Sequence, residues 1–121
     1  MSDNMNKVIM QGNLTKDAEC QDVGNSRVCK INLACNRSYK DVKETCFIEC
    51  ISWGNLNKVV EAYTHKGKSV LIEGRLKLDT WTSKDGEKRY KHVVVVENLV
   101  LLGGPGERKP VSDANEDLNQ F

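Results

Sequence analysis

Aromatic and cationic side chains are interleaved along this 121-residue chain. In DTWTSKDGEKRY (79–90), Trp81 stands among six charged residues, although a large ring normally prefers the core. Three more rings, Tyr39, Phe47 and Trp53, also fall in stretches that contain Lys or Arg. Flat rings stack on unpaired nucleobases, and cations bind the phosphates that join them. The pattern is therefore typical of a surface for single-stranded nucleic acid, because a duplex would hide its base faces.

Residues suited to catalysis or metal binding do not cluster in the sequence. His65 and His92 have no apparent acid or base partner, and no Ser, Cys or carboxylate group stands beside them. The chain has five cysteines and no CxxC pair: Cys20, Cys29, Cys35, Cys46 and Cys50. We expect them to be small buried side chains in a reducing compartment. The sequence thus predicts no enzymatic activity, no cofactor and no metal site.

The elements that must position the rings are mostly strands. Apolar residues alternate with polar ones in four segments: 6–14, 28–37, 45–53 and 69–78. A fifth β-rich segment, 91–102, is apolar on both parities at its centre, so we expect residues 93–96 to meet protein on both faces. Residues 55–67 instead show helical spacing, with Asn55 as a possible N-cap and Gly67 after the last turn. Three strands, a helix and two strands is the order of a five-stranded Greek-key OB barrel, so we predict an all-β fold with one helix between strands 3 and 4.

Strand parity predicts where three of the rings point. If the strand from Ser69 continues without a bulge, its even-numbered residues, including Leu76 and Leu78, are predicted to face the core. Trp81 then shares the opposite face with Arg75 and Lys77. In the third strand, Phe47 and Trp53 share the outward parity. The structural alternatives are that Trp81 caps the end of the barrel and that Phe47 belongs to the core.

Tyr39 and Trp53 allow similar alternatives. Tyr39 follows the apolar part of the second strand and should lie at the strand end or in the loop that carries Lys40 and Lys43. It could equally be an ordinary surface tyrosine. Trp53 stands directly before Gly54 and could pack at the entry to the helix.

Charge and composition divide the chain. Residues 1–104 hold 16 Lys and Arg against 13 Asp and Glu, whereas residues 105–121 hold 2 against 4. The glycine- and proline-rich GGPGERKP (103–110) separates the two parts. We predict a folded domain over 1–104 and a disordered linker with an acidic tail over 105–121. No segment has the length of a membrane span or a signal peptide, so the expected location is the cytoplasm.

At this point the sequence resembles the bacterial-type single-stranded DNA-binding proteins, which plasmids and phages also carry. The resemblance covers about residues 5–104 and rests on NKVIMQGNLTKDAE (6–19), INLACNRSYKD (31–41), the long block 44–90 and VVVVENLVLLGG (93–104). It implies an OB fold, a homotetramer, and sequence-independent binding of single-stranded DNA in replication, recombination and repair, with a nucleoid-associated location.

The resemblance also implies site residues. The base-stacking rings of the family match Tyr39, Phe47, Trp53 and Trp81, and its DNA-contacting arm matches residues 77–91. The phosphate contacts match Lys7, Arg37, Lys43, Lys66, Arg75, Lys77 and Lys84. Family tails recruit replication and repair proteins, and here Glu116, Asp117, Leu118 and Phe121 keep part of that pattern. The usual run of aspartates and the proline are missing, which implies weaker recruitment.

Two other binding functions remain open from the residues alone. The chain could bind RNA, because stacking does not sense the 2′-hydroxyl. It could also be an OB module whose ligand face binds protein. Titration with a dT or rU homopolymer would distinguish the three.

Overall fold

The computed structural model describes residues 3–103. Its elements are β1 (Val8–Leu14), β2 (Glu19–Val23), β3 (Ser26–Tyr39), β4 (Val42–Trp53), α1 (Leu56–Tyr63), β5 (Ser69–Thr82) and β6 (Lys88–Leu102). The predicted boundary at residue 104 and the tail residues Glu116, Asp117, Leu118 and Phe121 lie outside the described residues. Within them, no helix is long and apolar enough to cross a membrane.

Five of the strands close into a barrel. β1 pairs antiparallel with β5, β5 with β6, and β4 with β3, while β6 and β4 are parallel. The ring closes where Leu14 of β1 pairs with Leu33 of β3. The predicted all-β, five-stranded barrel is therefore confirmed, and α1 lies between its third and fourth strands, β4 and β5. The short strand β2 was not predicted, and it pairs with β3 outside the ring.

The core follows from the period-two alternation of the strands. On β3, Cys29, Ile31 and Leu33 are fully buried, whereas the intervening polar side chains point outward. The remaining members of the core cluster come from all the other barrel strands and the helix: Leu14, Cys50, Val60, Val70, Ile72, Val94 and Val96. Burial of each large aliphatic side chain contributes roughly 1.5–3 kcal/mol to stability.

A buried polar network attaches the helix to the barrel. Ser52 Oγ donates to Asn57 Oδ1 at 2.6 Å, and Asn57 Nδ2 donates to the Arg27 carbonyl oxygen at 2.6 Å. The helix is shorter than predicted, and the Asn55 side chain makes no capping hydrogen bond. Gly67, with φ +90°, lies in a later turn in which the Lys68 N–H donates to the His65 carbonyl.

Strand β6 carries a bulge that changes its inward face. Glu73 pairs with Asn98 but the next residue, Gly74, pairs with Val96, so Glu97 is the extra residue. Val94 and Val96 point into the core before the bulge, and Leu99 and Leu101 do so after it. The bulge therefore explains why the inward apolar residues of β6 change parity along the strand. It does not account for Val93, which precedes the bulge, has the outward parity and is fully buried.

Beyond the barrel, β5 and β6 continue as a two-stranded arm. Leu76 and Leu78 have the inward parity and were predicted to be core, but their side chains are 41% and 51% exposed. The prediction is wrong because these residues pair with Val94 and His92 where the strands leave the barrel. Alternation identifies the face of a strand but not where the opposite layer ends.

The prediction that the cysteines are separate buried side chains is wrong for three of them. Cys20 and Cys29 are directly opposite in the β2–β3 hairpin, with Cα atoms 4.0 Å apart, and form a disulfide. Cys46 is exposed because β4 extends beyond the core there. Cys50 is buried, and burial raises the pKa of its thiol to about 12. Burial likewise raises the pKa of the half-buried Cys35.

Two glycines allow neighbouring strands to approach closely. A Cβ at Gly12 would overlap the carbonyl oxygen of Ala34, and a Cβ at Gly74 would overlap that of Val95. Backbone carbonyls cannot move aside as a flexible side chain can. The barrel therefore requires these positions to lack a side chain.

We expect Gly74→Ala to lower the free energy of unfolding by about 1–3 kcal/mol or more, because the added methyl overlaps the backbone of β6. Thermal unfolding followed by circular dichroism would measure the loss. Gly86→Asn is the matched control, since Gly86 has φ +87° with open space around it and Asn tolerates that conformation. An equal loss in the two variants would contradict the role of the close approach.

Candidate nucleic-acid interface

Side chains of four neighbouring strands form one outward surface, which we call the outer face. Its defining residues are Lys30 on β3, Phe47, Glu49 and Trp53 on β4, Lys91 on β6 and Trp81 on β5. They have the parity opposite to the buried Ile31, Cys50, Val94 and Ile72 of the same strands. Because β5 itself carries no extra residue, the predicted parity of Trp81 is maintained along the strand.

The four predicted stacking rings are all accessible. Tyr39 is 60% exposed, Phe47 71%, Trp53 45% and Trp81 44%. The alternative that Phe47 belongs to the core is therefore wrong. Exposed rings of this size lose water favourably on stacking, so the surface is suited to flat apolar ligands.

Trp81 lies on the arm beside a cation. Lys91 Nζ is 5.5 Å from the centroid of its ring, and Trp81 pairs in register with Arg89. The turn that joins the two strands is held by the Ser83 hydroxyl, which hydrogen-bonds Asp85 and lowers the pKa of that carboxyl. In addition, the Ser83 N–H donates to the Glu87 carbonyl at 2.8 Å. The arm thus presents an ordered ring at a basic position.

Trp53 and Tyr39 occupy the two ends of the β3–β4 ribbon. Trp53 lines a groove with Asn57 and Lys58 of α1, so it packs at the helix entry while half of it stays exposed. Tyr39 is the last residue of β3, and Lys40 Nζ is 5.3 Å from its ring centroid. By register, Tyr39 has the inward parity of β3, so the structure does not bring it onto the outer face with Phe47.

The predicted phosphate contacts fall into two groups. Lys7 is ion-paired with Glu73 and Glu97 at 3.3 and 3.2 Å, and Arg75 with Glu97 at 3.6 Å. Hydrogen bonds to Glu97 and Glu73 raise the pKa of Lys7. Within residues 3–103, the other five form no ion pair: Arg37, Lys43, Lys66, Lys77 and Lys84. Among the seven predicted phosphate contacts, these five cations are the ones readily available to a polyanion.

Sequence reasoning missed a charged cluster at the centre of the outer face. Glu49 Oε1 accepts from Lys91 Nζ at 2.6 Å, and Lys30 Nζ lies 3.8 Å from Glu49 Oε2. Glu49, Lys91 and Phe47 also line a groove with Thr15, Lys16, Asn32, Leu33, Ile48 and His92. The only signal in the sequence was a carboxylate at outward parity between Phe47 and Ile51.

One group of possible metal ligands occurs in the described part of the chain. Cys20, Cys29 and Glu61 bring their ligand atoms within 4.8 Å of one another. The two sulfurs are joined in the disulfide, and Arg27 Nε donates to Glu61 Oε2 at 2.6 Å. Since a metal would need free thiolates, the group as it stands does not fit one.

Comparison with known proteins gives a consistent result. Residues 5–102 match the model of the single-strand binding protein family. The chain is 40% identical over 107 residues to a single-stranded DNA-binding protein of Wolinella succinogenes, covering 84% of this chain and 66% of the relative. A Helicobacter hepaticus protein of the same name is 38% identical, covering 91% and 66%. The chain thus spans slightly less than two thirds of the length of these relatives.

A solved structure supports the fold. The structure titled "Plasmodium falciparum SSB complex with ssDNA" superposes with a TM-score of 0.78, covering 84% of this chain and 98% of the other, at 17% identity. At that identity the likeness shows the fold alone, which agrees with the barrel described above. The family match over residues 5–102 shows that the chain belongs to the single-strand binding protein family.

Proposed function

We propose that this protein binds single-stranded DNA without sequence preference. The observation that carries the proposal is the exposure of Phe47, Trp53 and Trp81 on one outer face of a barrel that also carries unpaired cations. Stacking accepts any base, and phosphate contacts carry no sequence information. Family membership and the names of the relatives support the same ligand.

The proposed role is a non-catalytic one in DNA replication, recombination and repair. By coating single strands in the cytoplasm, at the nucleoid, the protein would protect them and remove secondary structure. We propose that Tyr39 adds a fourth stacking ring at the tip of the β3–β4 ribbon. Phosphate contacts would come first from the five unpaired cations, and from Lys7 and Arg75 once their acidic partners are displaced.

We further propose a homotetramer and a tail that recruits replication and repair proteins. Among the described residues, Val8–Gly12 pair only with β5, so the other edge of β1 is open to a second strand. Ile9 on this strand is 64% exposed. The tail proposal rests on the terminal residues Glu116, Asp117, Leu118 and Phe121 of the sequence alone.

Titration with a dT homopolymer should strongly quench the fluorescence of the two tryptophans, because both lie where bases are expected to stack. Added salt should weaken binding, since phosphate contacts release counterions. Tighter binding of rU than of dT would instead favour an RNA-binding function. An absence of quenching with either polymer would favour the interaction-only module.

Trp81→Ala should weaken dT binding by about 1–3 kcal/mol, or roughly 5- to 150-fold, because one stacking platform is lost. Its melting temperature should change by no more than about 5 °C, since the ring lies outside the core. Tyr90→Ala is the matched control: Tyr90 is 69% exposed on the same arm but has the opposite parity. Equal losses of affinity in the two variants would show that the arm does not bind through the Trp81 face.

Solution mass measured by light scattering should be four times the 13.6 kDa chain mass without DNA, and with short dT oligomers it should be that mass plus the mass of the bound DNA. Lengthening the oligomer should increase affinity until one strand spans all the subunits, because the sites are then linked on one assembly. A mass of one chain at all concentrations would remove the tetramer and the wrapping of DNA around it.

A further inference from the structure

Glu49 is an acidic residue at the centre of a surface that we propose binds a polyanion. Its side chain is only 15% exposed, between Phe47 and Ile51 on β4. A carboxylate in that position would repel phosphate and would be poorly hydrated unless cations neutralised it. Lys91 and Lys30 supply the two cations, at 2.6 and 3.8 Å from its oxygens.

The cluster continues across four neighbouring strands. Glu49 pairs in register with Asn32 of β3 and Val93 of β6, which makes Lys30 and Lys91 its diagonal neighbours. Lys91 pairs with Asp79 of β5, so Trp81 is in turn diagonal to Lys91. Diagonal neighbours on one face of a sheet lie within reach of long and aromatic side chains. The outer face thus carries a continuous row of ring, ammonium, carboxylate and ammonium.

Lys91 is held from two sides in this row. Its ammonium donates to Glu49 at 2.6 Å and lies 5.5 Å from the Trp81 ring centroid. A charge-assisted hydrogen bond and a cation–π contact both favour that position over contact with a mobile phosphate. One side of the Trp81 ring is therefore occupied, and a base would stack on the other side.

We propose that Glu49 is a positioning residue, which fixes Lys91 against Trp81 and withholds Lys91 and Lys30 from the DNA backbone. The inference rests on the proposed binding of single-stranded DNA. In this arrangement the centre of the outer face binds bases mainly by stacking, while the phosphates are bound by cations around it. Removal of the Glu49 charge converts the centre into an additional phosphate site.

The salt dependence of dT binding measures this conversion. The parent for this experiment is the Trp53→Phe variant, whose fluorescence reports on Trp81 alone. In this parent, Glu49→Gln should make the slope of log K against log salt more negative. The expected change is about 0.7 for each lysine released, or about 0.7–1.4 in total. The quenching of Trp81 at saturation should become smaller, because the ring loses its fixed neighbour. Glu49→Asp, which keeps the charge, should restore the slope of the parent.

Two further variants separate the proposal from a general effect of charge. Asp22→Asn removes one ion-paired carboxylate on β2, a partner of Arg27, and should leave the slope unchanged. In the double variant Glu49→Gln with Lys91→Gln, about 0.7 of the added slope should disappear. A slope in Glu49→Gln equal to that of the parent, or an equal change in Asp22→Asn, would overturn the proposal.

The design also distinguishes this inference from the proposed function. If the parent binds dT with quenching and Glu49→Gln does not change the slope, single-strand binding is retained and the positioning role is lost. If the parent does not bind dT, both fail. If Glu49→Gln does not fold, the variant Lys91→Gln in the same parent tests the proposal instead. An unchanged slope of log K against log salt means that Lys91 binds no phosphate and supports the proposal. A slope less negative by about 0.7 contradicts it.

Discussion

The pairing of β5 with β6 is the constraint on which the rest of the structure depends. Gly74 allows the two backbones to approach at Val95, and the extra residue Glu97 shifts the register beside it. Since a shift of one residue exchanges the two faces of a strand, this bulge decides which β6 side chains point into the core on each side of it. Lys91 reaches the outer face, next to Trp81, because the register of the arm is set in the barrel.

The arm that results has two chemically different faces. Trp81, Lys91 and Arg75 lie on the one continuous with the outer face, while Leu76, Leu78 and Tyr90 lie on the opposite one. The barrel parts of β5 and β6 bury one face against the core, and the same alternation continues into the arm, where both faces are exposed. The exposed leucines and rings of β5 and β6 thus lie where these strands extend beyond the core.

The sequence predicted the features that are local to one strand. The barrel, the helix between its third and fourth strands and the outward parity of Phe47, Trp53 and Trp81 all follow from alternation within single segments. Features that depend on two strands were missed or wrongly predicted. The disulfide requires the register of β2 with β3, and the contact between Glu49 and Lys91 requires β4 to lie beside β6. Periodicity gave no indication that Leu76 and Leu78 extend past the core.

Within residues 3–103, the open edges of β1 and β2 differ in their ability to accept a further strand. β2 is only five residues long and carries Glu19 and Asp22, which discourages pairing with another chain. The open edge of β1 has no charged residue from Val8 to Gly12. Strand addition through like edges related by a twofold axis stops at two copies, whereas addition at both edges would propagate into a fibre. Because the edge of β2 discourages pairing and the edge of β1 is open, the sheet permits closed assembly and opposes filament growth.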